Sequence, residues 1–461
     1  MLVWKTQTLN INVASLRYRC LLPLRYLARR GISSKIYDGA DTVELIPQTS
    51  AIVFVKSFHP LDVETCERAY QQGIPIILDL CDNIFVDGYG VDSDYSPAQN
   101  FQLMAKRATA IVTTGPAMQA EVENALGLNG SGDDRPFVVT IPDGSEAIDD
   151  IHFAFRRTKN KRILRCITQL LAMVQRSYKQ GKRKLKGLRY RIKRKVSQRL
   201  QRHYGLFERL PVPLDLKPIH NETAIDNKPV QKITIQATTI QETAIQATAQ
   251  GPISQKAHKK QKNQSILCWP RPWPTAPGLQ TVLWFGNHGA GYGNFGMLDI
   301  LSVADALAAV NKSCPLRLVV VSNHRNKYEL HIAPLPFATD YLPWHPRKIY
   351  SYIASSNVVI IPNSRSAFSI CKSANRAVLS LSQGTPVIAS HTPALDMLQG
   401  CVWLNDWESG LRAYLMNPEV AQTHVAQAQE VIAQKLSGDA IAQAWINLLN
   451  SLSLNHISNP L

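Results

Sequence analysis

The sequence predicts an α/β protein of two doubly wound domains with a basic insertion between them. Three observations carry this reading. Short apolar runs alternate with segments of helical period through residues 1–150, the pattern of parallel strands covered by helices. The alternation stops near Asp150 and resumes at Thr281. The stretch between them lacks it and holds more positive charge than the whole chain nets.

In chain order, apolar runs at 9–13, 34–37, 51–55, 74–80, 110–113 and 137–141 predict strands. Helical spacing at 16–30, 61–72, 98–107 and 117–126 fills the gaps, the first helix stopping at Gly31. In the second domain strands are predicted at 281–285, 316–321, 358–361 and 386–389, with helices at 295–310, 348–355 and 372–382. The Ala-, Gln- and Leu-rich tail, 407–454, predicts closing helices.

The insertion has two unlike parts. Ile163, Leu164, Ile167, Leu170, Leu171 and Val174 mark one face of a helix, and a cationic run with Lys182, Arg183, Lys184, Arg191, Lys193, Arg194 and Lys195 follows. A five-residue repeat from Thr234 and a Pro/Trp-rich hinge at 269–277 then predict a disordered linker, because too few apolar residues remain for a core. Residues 151–210 carry 20 lysines and arginines against one acid, Glu208, so of the formal charge of +17 the rest of the chain contributes −2. Apolar stripe and cationic run together predict an interfacial helix on an anionic membrane surface. A helical hairpin packed on the flanking domains fits the same stripe. Nucleic acid is not expected, since only Tyr178, Tyr190 and Tyr204 accompany the charge.

At 461 residues, with 45% hydrophobic and 18% charged residues, the chain has the size and composition of a globular protein of two or three domains. The eight cysteines are scattered without a CxxC pair, which predicts a reduced cytoplasmic setting and no structural metal. Residues 1–13 lack the apolar run of a signal peptide, and no stretch reaches the ~18 apolar residues of a spanning helix. The expected location is cytoplasmic, with peripheral attachment to the cytoplasmic membrane face through the insertion.

One loop stands out, Gly286-Asn-His-Gly289-Ala-Gly291-Tyr-Gly293-Asn-Phe-Gly296, placed between a predicted strand and helix. Its glycines allow close backbone approach to a ligand, and the helix offers unpaired N–H groups to a phosphate. Gly291-x-Gly293-x-x-Gly296 matches the dinucleotide fingerprint, but the next strand ends Val321-Ser-Asn-His without an acid for a ribose, so NAD is not expected. A plain flexible turn is the alternative.

The run Pro362-Asn-Ser-Arg365-Ser-Ala-Phe-Ser-Ile-Cys371-Lys372-Ser373-Ala-Asn375-Arg376, leading through Leu379 to Gly384-Thr-Pro-Val-Ile-Ala-Ser390, resembles the nucleotide-sugar-binding domain of GT-B glycosyltransferases of the "glycosyl transferases group 1" (family 4-like) class. Ala14-Ser-Leu-Arg17-Tyr-Arg19, Leu78-Asp79-Leu-Cys-Asp82-Asn-Ile-Phe85, the run 108–116 and Ile141-Pro-Asp143-Gly144 resemble landmarks of its first domain in the same order. The resemblance implies two Rossmann-like domains: 1–150 on the acceptor side and 276–461 on the nucleotide-sugar side, with 151–275 as insertion and linker. It implies a metal-independent, hexosyltransferase-like enzyme without cofactor, moving a sugar from a nucleotide-sugar to a membrane-associated or polysaccharide acceptor.

Gly289, Gly291, Gly293, Lys372, Ser373, Asn375 and Arg376 are the expected donor-binding residues. The two cations suit a diphosphate leaving group whose charge develops in the transfer; the alternative is a solvated pair on a surface helix. Where the family commonly has two glutamates, eight positions apart, this chain has Cys371 and Leu379, which cannot accept a strong hydrogen bond from a ribose hydroxyl. That departure leaves a noncatalytic GT-B-like scaffold, binding a membrane or partner through its insertion, as the second hypothesis. In the first domain Asp82 is expected as a base or a ligand of the acceptor hydroxyl, or else as a cap, and His59 as a catalytic candidate or a surface histidine. Arg17 and Arg19 are expected to contact a phosphate or an acidic acceptor, or to form salt bridges.

Overall fold

A computed structural model describes residues 1–39, 41–91, 93–128, 136–158, 278–289 and 295–458. Two parallel six-stranded sheets organise them within one compact unit. The first is built from β1 (Leu2–Thr6), β2 (Ser34–Tyr37), β3 (Ala51–Val55), β4 (Ile76–Leu80), β5 (Ala110–Thr113) and β6 (Phe137–Thr140), in the order β2-β1-β3-β4-β5-β6. The second contains β7 (Gln280–Phe285), β8 (Leu316–Ser322), β9 (Ala338–Pro343), β10 (Val358–Ile361), β11 (Val387–Ala389) and β12 (Trp403–Leu404), in the order β12-β11-β10-β7-β8-β9. Each chain path starts mid-sheet, runs to one edge and then to the other. The strand order therefore reverses between β1 and β3 and between β7 and β10, where open α/β sheets leave a crevice beyond the strand C-termini.

Helices α1 (Leu22–Arg29), α2 (Pro60–Gln71), α3 (Pro97–Ala105), α4 (Pro116–Leu126) and α5 (148–158) accompany the first sheet. Those of the second half are α6 (Ala304–Asn311), α7 (Arg325–His331), α8 (Ile349–Ala354), α9 (Ala367–Ile370), α10 (Asn375–Ser382), α11 (Trp407–Met416), α12 (Pro418–Val431) and α13 (Gly438–Ser458). Apolar clusters fill both faces of each sheet, as all-parallel strands require.

The structure corrects several expected elements. The first strand is Leu2–Thr6, and 9–13 is a loop. Lys5, 1% exposed, interrupts the apolar signal of the true strand; its Nζ donates to the carbonyls of Asp38, Gly39 and Asp41 at 2.8, 3.1 and 3.1 Å. The expected first helix contains a π-helical segment, Leu16–Leu21, that runs directly into the α-helix at Leu22, with Pro23 just past the join. The expected helix 295–310 is a 3₁₀ segment, Gly296–Val303, followed by α6. The expected helix 372–382 begins only at Asn375, leaving Lys372 in the turn after α9. Edge strands β9 and β12 lacked an apolar run long enough to announce them.

The closing helices do not stay with the second sheet. Trp445 of α13 packs edge-on against Trp4 of β1, ring centroids 5.1 Å apart, and α13 joins the core of the first half. In α5, Ile151 enters the second half's core and Ala154 the first's. Residues 151–158, expected as the start of the insertion, thus complete α5, while 159–277, with the basic run 182–195, lie outside the described residues.

Candidate functional site

The C-terminal ends of both sheets open onto one cavity of about 840 Å³. Its first wall includes Arg17, Arg19, Lys56, Asp82 and Asp143; its second includes Gly286, Gly289, Gly296, Asn363, Lys372 and Arg376. Of the expected residues, Gly289, Lys372, Ser373, Asn375 and Arg376 thus meet Arg17, Arg19 and Asp82 around one cavity.

The glycine loop is shaped by close approach. Gly289 and Gly296 have φ of 106° and 84°, and a Cβ on Gly296 would lie 2.6 Å from the Gly289 nitrogen, so the two ends of the loop touch. Gly291 and Gly293 lie outside the described residues. Gly286 leaves room for Arg376, whose Nη1 would stand 3.3 Å from a Cβ there.

Arg376, in the first turn of α10, donates to the Phe285 carbonyl at 3.3 Å and to Asn363 Oδ1 at 2.9 Å. Both acceptors are neutral. Burial pushes its pKa down to about 10, with Asp299 opposing only in part. A half-buried guanidinium held by neutral oxygens is a cation poised for an anion. Ala374, the N-cap of α10, supplies no side-chain cap.

Lys372 extends to Asp82 of the other half, and Lys56 holds the second oxygen of the same carboxylate. Burial favours the protonated acid, but the two ammonium groups outweigh it and keep Asp82 well below the ordinary carboxylate range. Lys56 is raised in turn, since the Asp82 charge overcomes the burial that would neutralise it. Its φ of 47° is rare for a side-chain-bearing residue and turns it out of β3 towards the cavity. Ser373 Oγ donates to Asp143 Oδ2 at 2.6 Å, and Asn375 Nδ2 reaches the same oxygen at 3.4 Å.

Arg17 and Arg19 line the cavity, but carboxylates of their own half engage them. Arg17 Nε is 2.9 Å from Glu146 Oε1, and Arg19 Nη2 and Nη1 lie 2.7 and 3.2 Å from Asp79 and Asp143. Both are nearly fully buried, and they form the salt bridges that were one of the two expectations, tying the π-helical segment to Asp79 of β4 and to Asp143 and Glu146 in the segment after β6. His59 is exposed and is not among the lining residues; its Nδ1 accepts from the Leu61 N–H as the cap of α2. Cys371 is buried in the first half's core, 3.9 Å from Asn83 Nδ2, and burial pushes its thiol up to about 12. Leu379 lines the cavity as a core residue, 3% exposed.

Sequence reasoning missed Lys56, although it stands directly after a predicted strand, where this fold class gathers ligand contacts. Asn363 was passed over in the same way, after β10.

No family model matches the chain, and no curated protein does. Solved structures do. Sucrose-phosphate synthase from Thermosynechococcus elongatus aligns over 99% of this chain and 100% of its own at 12% identity and a TM-score of 0.51. Anabaena HepE in complex with UDP aligns over 98% and 99% at 11% identity and 0.46, and a UDP-forming trehalose-phosphate synthase from Burkholderia xenovorans over 89% and 75% at 9% and 0.46. With its two parallel six-stranded sheets, this chain has the GT-B fold of glycosyltransferases: two Rossmann-like domains.

Proposed function

We propose that the protein is a glycosyltransferase that moves a sugar from a nucleotide-sugar to an acceptor hydroxyl in the cavity between its two sheets. The observation that carries this reading is Arg376, held by neutral oxygens beside the glycine loop and the uncapped start of α10. A diphosphate placed there meets a guanidinium and free N–H groups together. Lys372 joins it by exchanging Asp82 for the phosphate. As the sugar–phosphate bond breaks, both cations stabilise the charge on the leaving nucleoside diphosphate, without metal or cofactor.

Asp82 then keeps one ammonium neighbour, Lys56, in place of two. Its carboxylate gains basicity when the donor is bound and sits on the acceptor wall to take the hydroxyl proton. Arg17, Arg19, Glu146 and Asp79 hold that wall in place, and His59 has no part in the reaction.

The buried Cys371 and the apolar Leu379 favour the second reading, a GT-B scaffold that binds no donor. Thermal shifts with UDP-, GDP-, ADP- and dTDP-sugars separate the two. A rise with at least one is expected, and Arg376→Ala is expected to weaken nucleoside diphosphate binding ~10- to 100-fold, from the ~1.5–3 kcal/mol of a charge-assisted bond, while nucleoside binding changes little. No shift with any of the four favours the scaffold over the enzyme.

A further inference from the structure

We infer that in the ligand-free protein Asp82 and Asp143 stand where the donor's diphosphate binds, so that a nucleotide-sugar enters by displacing two carboxylates of the protein itself; this rests on the glycosyl transfer proposed above. Both carboxylates belong to the first half, and both divide their oxygens in the same way. Asp143 Oδ1 accepts from Arg19 Nη1 of its own half at 3.2 Å, while Oδ2 accepts from Ser373 Oγ and Asn375 Nδ2 of the second half at 2.6 and 3.4 Å. Asp82 accepts from Lys56 of its own half on one oxygen and from Lys372 of the second on the other. An ammonium, a hydroxyl and an amide are thus gathered at the start of α10, each facing an anionic oxygen. A phosphate offers these donors the same kind of acceptor with more charge.

The exchange strands no buried charge. Asp143 keeps Arg19, which Asp79 also holds through contacts of 2.7 and 3.0 Å, and Asp82 keeps Lys56. A carboxylate that retains its own cation avoids the penalty of an unpaired buried ion. Arg376, whose bonds go to neutral oxygens, receives the anion without any such exchange. Other polar contacts that join the halves lie away from the cavity lining: Asn83 to the Ala367 carbonyl at 3.2 Å, Ser145 to Ser382 at 2.9 Å, and Tyr350 to the Glu146 carbonyl at 3.3 Å. They keep the halves joined while the two carboxylates let go. The apparent donor affinity is then lower than the site's own, by the fraction of protein in which the carboxylates are released.

The test titrates the full chain with inorganic pyrophosphate and with UDP, GDP, ADP and dTDP by calorimetry. Asp143→Ala and Asp82→Asn are each expected to bind pyrophosphate and the preferred nucleoside diphosphate about three- to tenfold more tightly than wild type, because removing an internal competitor raises the competent fraction. Their melting temperatures without ligand are expected to fall. A carboxylate with a merely structural role would not move affinity and stability in opposite directions. Asp87→Asn removes an exposed charge of the same half outside the cavity lining and is expected to leave both affinities unchanged. Unchanged or weaker affinity in either folded carboxylate variant overturns the inference, as does equal tightening by Asp87→Asn; if Asp143→Ala does not fold, Asp82→Asn decides. A structure with nucleoside diphosphate bound in which Lys372 and Ser373 still hold the two carboxylates overturns it too. Binding of no nucleoside diphosphate by wild type or variants refutes the transferase reading itself.

Discussion

Lys56 takes a backbone angle that side chains rarely adopt, and it does so where its ammonium reaches Asp82 and, through that carboxylate, Lys372 of the other half. Strain of this kind persists where the surroundings enforce it, and here the enforcing contacts are electrostatic. A pH dependence follows from the sign of the Asp82 shift. Its carboxyl in the folded protein lies below its ordinary value, so its stabilisation is complete above the ordinary carboxylate range near pH ~4 and is lost as pH falls through the lower folded value. Melting temperatures of wild type and Asp82→Asn should therefore differ most near neutrality and converge below pH ~4. A constant gap between the two curves down to pH ~2.5 refutes the pairing. Asp82 was legible in the sequence because it follows a strand end. For Arg17 and Arg19 salt bridges were one of two expectations, but the partners were not legible, because those carboxylates lie 60 to 129 residues away and only the fold brings them together.

Among elements, the interior strands were the most legible, since β3 and β10 are unbroken apolar runs with turn signals at both ends. The first strand was hidden by a buried lysine, while Leu9, Ile11 and Val13 offered a false alternation in a loop that shapes the cavity mouth. The glycine loop was legible as the strand-to-helix connection that borders the cavity, but which glycine the backbone cannot do without shows only in the folded loop. Gly296→Ala meets both a positive φ and collisions at 2.6 and 2.7 Å with the Gly289 nitrogen and the Asn287 carbonyl. It is expected to cost ~1–3 kcal/mol of stability and to weaken nucleotide-sugar binding. Gly384→Ala meets a similar φ of 83° with nothing within 4 Å, and is expected to lower the melting temperature without changing donor affinity. Equal donor affinity in both variants and wild type would show that the closed loop takes no part in binding.

At the scale of the whole molecule, the two halves are tied by more than the cavity. α13 returns to the first sheet, α5 enters both cores, and Asn83 of the first half donates to the Ala367 carbonyl of the second. No helix among the described residues is long and apolar enough to cross a membrane. The charge of the chain is nevertheless divided sharply, with +19 in residues 151–210 and −2 elsewhere. Each lysine or arginine near an anionic bilayer contributes ~1 kcal/mol before screening, so even a minority of the 20 basic residues in contact would hold the protein on such a surface. The same attraction must fade with salt, because the Debye length shrinks from ~10 Å at 0.1 M to ~3 Å at 1 M. Full-length protein is therefore expected to float with phosphatidylserine-rich liposomes at 0.1 M salt, to remain largely unbound at 1 M, and to ignore neutral vesicles. A chain with 159–277 replaced by a short Gly/Ser linker should lose flotation while keeping the donor-induced thermal shift. Recovery of both proteins with anionic vesicles in equal, salt-insensitive amounts would place membrane attachment outside the basic segment.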